Sequence, residues 1–353
     1  MKDRYIGVQL LRFVAAMLVA VMHITQAISM HITGRGSDHY WEAGSSGVDI
    51  FFVISGFVMA TATPSQPRAG QTRLAAAWIF MKRRLLRIAP LYWFYTLLKA
   101  ALLLTLPALA VQSTLDGGHL LASLLFIPAP APWGLMQPTL QVGWTLNYEM
   151  LFYAVFAAAI ALGAPRVLFC VLVFLALFLA SDLLPTSDVL RFYSRSLVFE
   201  FVAGMVIARW VAAQRSIPAA LSVVLIGAAA FMMLLVEWPP TTDRIVTWGI
   251  AASIIVLCTV ALEPWLARSE LAARLSFLGD ASYSIYLSHA FVVPAAVLSM
   301  RKLGVTDPVA IMVFAGAAVT VAGCLSYILL ERPVTSAFKR VLFSARPEPA
   351  VNA

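Results

Sequence analysis

The sequence predicts an all-α, polytopic integral membrane protein of about ten transmembrane helices with both termini in the cytoplasm. Three observations carry that prediction. Of the 353 residues, 61% are hydrophobic and only 12% charged, giving a mean hydropathy of +0.87. Apolar runs long enough to cross a bilayer recur from one end of the chain to the other. Lysines and arginines gather in alternate loops, as they do on the cytoplasmic face. In a soluble chain the net charge of +8 would suggest nucleic acid; here it is read by position, and no nucleic-acid partner is expected. Cys170, Cys258 and Cys324 lie inside apolar runs without paired or metal-ligand spacing, so they read as packing residues.

The first run, residues 5–31, carries Arg12 and His23. At about 1.5 Å per residue it spans a hydrocarbon core of about 30 Å. Eleven positions at about 100° each return Arg12 and His23 to within roughly 20° of one another, on one face and about 16 Å apart in height. Ionisable groups at membrane depth normally face the protein interior and mark a functional path. The ordinary alternatives are that Arg12 snorkels to the interface and His23 bonds to a neighbouring helix. No signal-peptidase site follows the run, so this helix is expected to be retained.

Residues 47–63 form the second run, with Asp49 at its entrance and Ser55-Gly56 in its middle, where small residues permit close helix contact. Residues 64–87 are polar and basic, with Arg68 and Arg73, and end in KRRLLR from Lys82 to Arg87. The third run, 89–110, opens on Pro90, which a helix start tolerates. Residues 111–142 hold no Lys or Arg, and that contrast sets the orientation, with the basic loop cytoplasmic. Further runs occupy 143–162, 167–180, 194–212, 217–236, 245–262, 277–300 and 308–330. The alternation then places Lys2, Arg4, Arg166, Arg209, Arg215, Arg268, Arg274, Arg332, Lys339 and Arg340 inside. Arg35, Arg191, Arg195, Arg244, Arg301 and Lys302 fall outside. The stretch 120–127 is too short to span and is read as re-entrant at most. No inverted repeat is evident, which weighs against common transporter layouts.

With this topology His23, Asp49 and Glu149 lie at similar depth towards the outer face, Glu149 about two turns into the fourth helix. An imidazole can act as general base toward a hydroxyl while a neighbouring carboxylate orients it. Asp49 could equally be a helix N-cap and Glu149 a structural hydrogen-bonding group. Arg84 and Arg87, spaced i and i+3, point the same way from a helix and suit a phosphate-bearing ligand, although basic residues there also serve topology and lipid contact. SYSIYLSH, residues 282–289, lines a helix with hydroxyls and a second intramembrane histidine, His289. Glu200 and Glu331 are further acids in or beside helices, Glu331 within LERP and expected to pair with an arginine. His31, His39 and His119 are expected to be solvated in outer loops. The five histidines are not spaced as a ligand set, and no metal is expected.

Taken together these stretches resemble the acyltransferase 3 family, integral membrane enzymes that move acyl groups, usually acetyl, onto extracytoplasmic carbohydrate. The matching pieces, in family order, are the Arg12 to His23 pair, GVDIFFVISGF from Gly47, RRLLRIAPLYW from Arg83, GWTLNYE from Gly143, SYSIYLSH from Ser282 and ERP from Glu331. The form GWTLNYEM and the compact chain look most like the exopolysaccharide branch, whose members acetylate succinoglycan-type polymers.

The resemblance implies an acyltransferase domain over residues 1–340 and a polar cytoplasmic tail over 341–353, in the bacterial inner membrane. It implies acyl-CoA, most simply acetyl-CoA, as donor, bound by Arg84 and Arg87 with help from Arg12, and no metal. The acceptor would be a polysaccharide or its lipid-linked precursor, and membrane lipids surround the whole. His23 would be the catalytic base, with Glu149 and Asp49 orienting it or the acceptor. Tyr92 and Trp93 would line the donor channel, unless they form an interfacial aromatic belt. Trp144, Tyr148 and His289 would contact the acceptor. The rival class is a proton-coupled transporter or polysaccharide exporter that uses the intramembrane His and Glu as a relay.

Overall fold

The computed structural model describes residues 5–36, 40–105, 115–183, 187–236 and 241–343. Lys2, Arg4, His39 and residues 344–353 of the expected tail lie outside the described residues. The helices in chain order are α1 (Ile6–Ile28), α2 (Gly47–Ala62), α3 (Arg73–Thr105), α4 (Gly117–Leu124), α5 (Trp144–Leu162), α6 (Arg166–Leu183), α7 (Asp188–Tyr193), α8 (Val198–Ala212), α9 (Ala219–Leu235), α10 (Ile250–Ala261), α11 (Glu263–Leu266), α12 (Glu270–Asp280), α13 (Ser282–Lys302), α14 (Pro308–Ser326) and α15 (Arg332–Phe343). The only β pairing among the described residues is an isolated bridge between Pro130 and Met136.

Among the described residues the ten apolar runs fall on helices, the run 277–300 on two of them, and six helical segments are long and apolar enough to cross a membrane. These are Ile6–Thr33, Glu42–Ala62, Arg73–Thr105, Gln141–Leu162, Ser282–Lys302 and Pro308–Phe338. Three shorter apolar helices, Arg166–Ala180, Ala219–Leu235 and Ile245–Ala261, accompany them. Large apolar side chains such as Leu104, Val313 and Leu235 stand exposed, as they would against lipid.

Three boundaries differ from the sequence reading. The third helix starts at Arg73, so the second half of the basic loop is helical and Pro90 sits inside α3 rather than opening it. Proline there leaves the helix one amide short, and the neighbouring carbonyl of Ile88 accepts from the Tyr283 hydroxyl at 2.8 Å. The run 277–300 is two helices, because the chain breaks at Ala281 between α12 and α13. The last run, 308–330, continues as helix to Phe343. The stretch 120–127 does not span, as its length predicts: residues 120–124 belong to the eight-residue α4.

The bundle is built around α1, which packs on α2, α10, α12, α13 and α14. Ala15, Ala16 and Ala20 are fully buried, and these small side chains let the neighbours approach closely. The first amides of α1, Ile6 and Gly7, donate at 2.8 and 2.9 Å to the carboxylate of Glu263, which occupies the positive end of the helix. Close approach is tightest between α2 and α8. A Cβ on Gly56 would lie 1.9 Å from the Phe201 carbonyl oxygen, and one on Gly204 would lie 2.0 Å from that of Val53. The small Ser55-Gly56 pair thus serves the contact its composition suggests.

From residue 115 to α5 the chain does not stay wholly at the surface. Asp116 caps α4 by accepting from the His119 amide at 2.6 Å. The Tyr92 hydroxyl and Trp93 Nε1, both on α3, donate to the carbonyls of Ser123 and Leu124 at 3.1 and 2.7 Å. His119 is buried, with Nε2 donating to the Gln137 carbonyl at 2.8 Å, so it ties this segment together instead of meeting solvent. Residues 138–140 and 142–143 are buried too, so α5 starts inside the bundle.

Candidate active site

A cavity of about 140 Å³ opens between α1, α2, α3, α5 and α13. Arg12, Ser55, Arg84, Arg87, Glu149, Tyr153 and Tyr283 line it, together with Thr145 and Tyr286. The arginines are held differently. Arg87 is ion-paired with Glu331, whose other oxygen accepts from Ser284 Oγ at 2.6 Å. Arg84 lies over the Phe80 ring, 5.6 Å from its centroid, and its buried Nε has no hydrogen-bond partner. Arg12 has no hydrogen bond or ion pair among the described residues, although the charges of Arg87, Glu331 and Glu149 act on it. Glu149 accepts from Ser55 Oγ at 3.1 Å and from the Tyr153 hydroxyl. Three guanidinium groups therefore face two carboxylates, and the cavity favours an anion.

Arg84 also lines a second, larger hollow of about 1170 Å³ at the basic-loop end. Its wall carries Arg68, Arg73, Lys82, Arg83, Arg84, Arg166 and Arg209 and no acidic side chain. Arg166 is committed to structure, donating to the carbonyls of Thr63 and Ser65 at 3.1 and 3.2 Å and to that of Pro64. The field in this vestibule draws a polyanion toward Arg84.

Eleven residues beyond Arg12 on α1, about 16 Å, His23 stacks on His289 of α13, with ring centroids 5.1 Å apart and planes at 28°. His23 Nδ1 lies 3.4 Å from Gln26 Oε1. With that nitrogen protonated, Nε2 keeps its lone pair, the form a base requires. His289 is fully buried, and the Tyr286 ring lies 5.6 Å from it. The Tyr286 hydroxyl donates to the Val142 carbonyl at 2.8 Å and lies 3.0 Å from Thr145 Oγ1. Tyr286 thus stands between the arginine cavity and the histidine pair.

These arginine, carboxylate and histidine groups fall within residues 5–329 or immediately after, and over 5–329 the chain matches the profile of the acyltransferase 3 family, described as an acyltransferase domain. The chain belongs to that family. The acyltransferase is 36% identical over 303 residues to the exopolysaccharide production protein ExoZ of Rhizobium meliloti strain 1021, covering 84% of this chain and 91% of that one. It is 30% identical over 313 residues to the putative membrane-bound transacylase BcsY of Komagataeibacter xylinus, covering 82% and 76%. A shorter match of 30% over 155 residues, 41% of this chain and 36% of the other, is to the acyltransferase MdmB of Streptomyces mycarofaciens. No solved structure matches it. The transporter or exporter alternative draws no support from these relatives.

In this acyltransferase the expected groupings hold in part. Arg12, Arg84 and Arg87 come together, and Glu331 finds its arginine. Glu149 does not hydrogen-bond to His23; it lies among the arginines, because α5 starts inside the bundle and its second turn is correspondingly deep. Asp49 is engaged elsewhere as well. Fully buried in the first turn of α2, it accepts from Arg244 Nε at 3.0 Å and Nη2 at 2.6 Å. Arg244 also donates to the Ser45 carbonyl at 3.0 Å and lies 4.6 Å over Trp248, with Glu200 beside Asp49.

Tyr92 and Tyr148 are fully buried, and neither lines the cavity. Tyr92 holds the α4 segment, while Tyr148 donates to the Phe192 carbonyl and Trp144 packs edge-on against its ring. Ser284, Tyr153 and Arg244 are the side chains that sequence reasoning missed. Tyr153, one turn after Glu149, is the one its spacing could have revealed.

Proposed function

We propose that this acyltransferase moves an acetyl group from cytoplasmic acetyl-CoA to a hydroxyl of an extracytoplasmic polysaccharide or its lipid-linked precursor, in the bacterial inner membrane. The observation that carries the reading is the arrangement along α1, an arginine cavity fed by a basic vestibule and a histidine pair about 16 Å away. The excess of arginine and lysine at the vestibule end supports assigning that end, and both termini, to the cytoplasm. About ten crossings fit the ten helical runs, and residues 1–340 would form one acyltransferase domain with a short polar tail.

Acyl-CoA brings about four negative charges on its nucleotide end, matched by the vestibule and by Arg84 and Arg12. Its pantetheine arm, an extended chain of roughly 15 Å by the reach of backbone-like bonds, is the right length to carry a thioester from the arginines to the histidines. His23 Nε2 then takes the proton of the acceptor hydroxyl as its oxygen attacks the thioester carbon, and returns it to the departing thiolate. Glu149 keeps Arg12 and Arg84 poised, a positioning role rather than a partnership with His23. Relatives named for exopolysaccharide production and transacylation support the polymer acceptor.

The test supplies labelled acetyl-CoA to sealed vesicles bearing the protein, from the vestibule face, with de-O-acetylated exopolysaccharide on the other. Label should appear as O-acetyl in the polymer by NMR. Its absence, or transfer only when donor and acceptor share a side, overturns the reading.

A further inference from the structure

Acyl transfer passes through a tetrahedral species whose carbonyl oxygen becomes an anion, and stabilising that oxygen is usually the largest electrostatic contribution an enzyme makes. In a helical membrane bundle the backbone amides are committed to their own helices, so the donor has to be a side chain. Around His23 the candidates are few. Thr25 Oγ1 donates to the Met22 carbonyl at 2.8 Å, the Gln26 side chain is engaged with His23 Nδ1 at 3.4 Å, and the Tyr286 hydroxyl is committed to Val142 and Thr145. His289 is different. It is fully buried, yet neither ring nitrogen has a hydrogen-bond partner; the carbonyls of Ile285 and Tyr286, a turn earlier, lie nearby without reaching hydrogen-bond geometry. A buried imidazole left unsatisfied calls for an explanation, and a ligand atom is the simplest one.

We propose that His289 is a second catalytic residue, whose ring N–H holds the acyl carbonyl oxygen while His23, stacked on it, handles the proton. The inference rests on the acetyl-transfer reading above. In the step, the acceptor hydroxyl oxygen forms a bond to the thioester carbon, its proton passes to Nε2 of His23, and the carbonyl electron pair moves onto the oxygen facing His289. Collapse re-forms the C=O bond and breaks the C–S bond, and the thiolate takes the proton back from His23. The products are an O-acyl ester and free coenzyme thiol. The stack sets the two rings side by side, with centroids 5.1 Å apart.

The experiment measures transfer of labelled acetyl from acetyl-CoA to de-O-acetylated exopolysaccharide by the full-length protein in lipid nanodiscs. The wild type must be active, since its failure would remove the acetyl-transfer reading and this proposal with it. His289→Phe keeps a ring for the stack but has no N–H; kcat should fall about 10²–10³-fold, with KM for acetyl-CoA within about twofold. His289→Gln, which restores an N–H donor, should recover at least tenfold of that loss, and the pH profile of kcat should stay as in the wild type. If His289→Phe does not insert, the isosteric pair His289→Gln and His289→Met makes the same comparison. A phenylalanine or methionine variant within about threefold of wild type would make His289 a packing residue and overturn the proposal. So would a glutamine variant no better than the donor-less one.

Discussion

Two clusters of charge are buried in the same bundle, and they differ in where their hydrogen bonds go. Asp49 and Arg244 close on one another through two contacts, with Ser45 and Trp248 against the arginine and the buried Glu200, whose oxygens have no hydrogen-bond partner, beside the pair. Arg12 and Arg84 instead face a cavity with guanidinium groups that the protein does not satisfy, while Glu149 and Glu331 are held by Ser55, Tyr153, Ser284 and Arg87. Burial of charge alone does not separate structure from function. The Asp49–Arg244 pair is closed on itself, whereas the guanidinium groups at the cavity are open to a ligand.

The sharpest way to break this comparison is at the closed pair. Asp49→Ala strands the arginine in the interior and should destabilise the protein by about 3–5 kcal/mol, seen as lost thermal stability or lost insertion. Replacing both partners, Asp49→Leu with Arg244→Met, should recover most of that loss and retain acyl transfer, because neither residue lines the arginine cavity or touches the histidine pair. A stable double variant without activity would move Asp49 into the chemistry.

At the open cluster the effect should be on donor binding. Arg84→Ala should raise KM for acetyl-CoA by about 10–100-fold, the worth of a charge-assisted contact, with melting temperature and kcat near wild type. An unchanged KM would reduce Arg84 to a topology signal. The smallest effect belongs to Tyr92→Phe, which removes only the hydrogen bond to Ser123. It should lower stability by about 1 kcal/mol without altering KM for the donor, whereas a raised KM would return Tyr92 to the donor channel.

The same contrast explains what the sequence made legible. The helical spacing of Arg12 and His23 and the i, i+3 spacing of Arg84 and Arg87 are local, and the apolar runs announced their helices because hydropathy and length act locally. That Glu149 lines the same cavity as Arg84 and Arg12 was not legible, since it depends on how far residues 117–143 carry the start of α5 into the bundle. The pairing of Asp49 with Arg244 joins positions 195 residues apart, and no spacing rule reaches across that distance. Pro90 misled because a proline at a helix start and one inside a long helix look alike until the first half of the helix is seen.

The claim on which the account turns is that the donor is held at the arginines and consumed at the histidines. Measuring acetyl-CoA binding and acetyl transfer side by side in His23→Ala tests it most directly. The account predicts a dissociation constant within about twofold of wild type and transfer reduced by about 10²–10⁴-fold, the range for losing a general base. Transfer at the wild-type rate, or loss of donor binding together with loss of transfer, would contradict it.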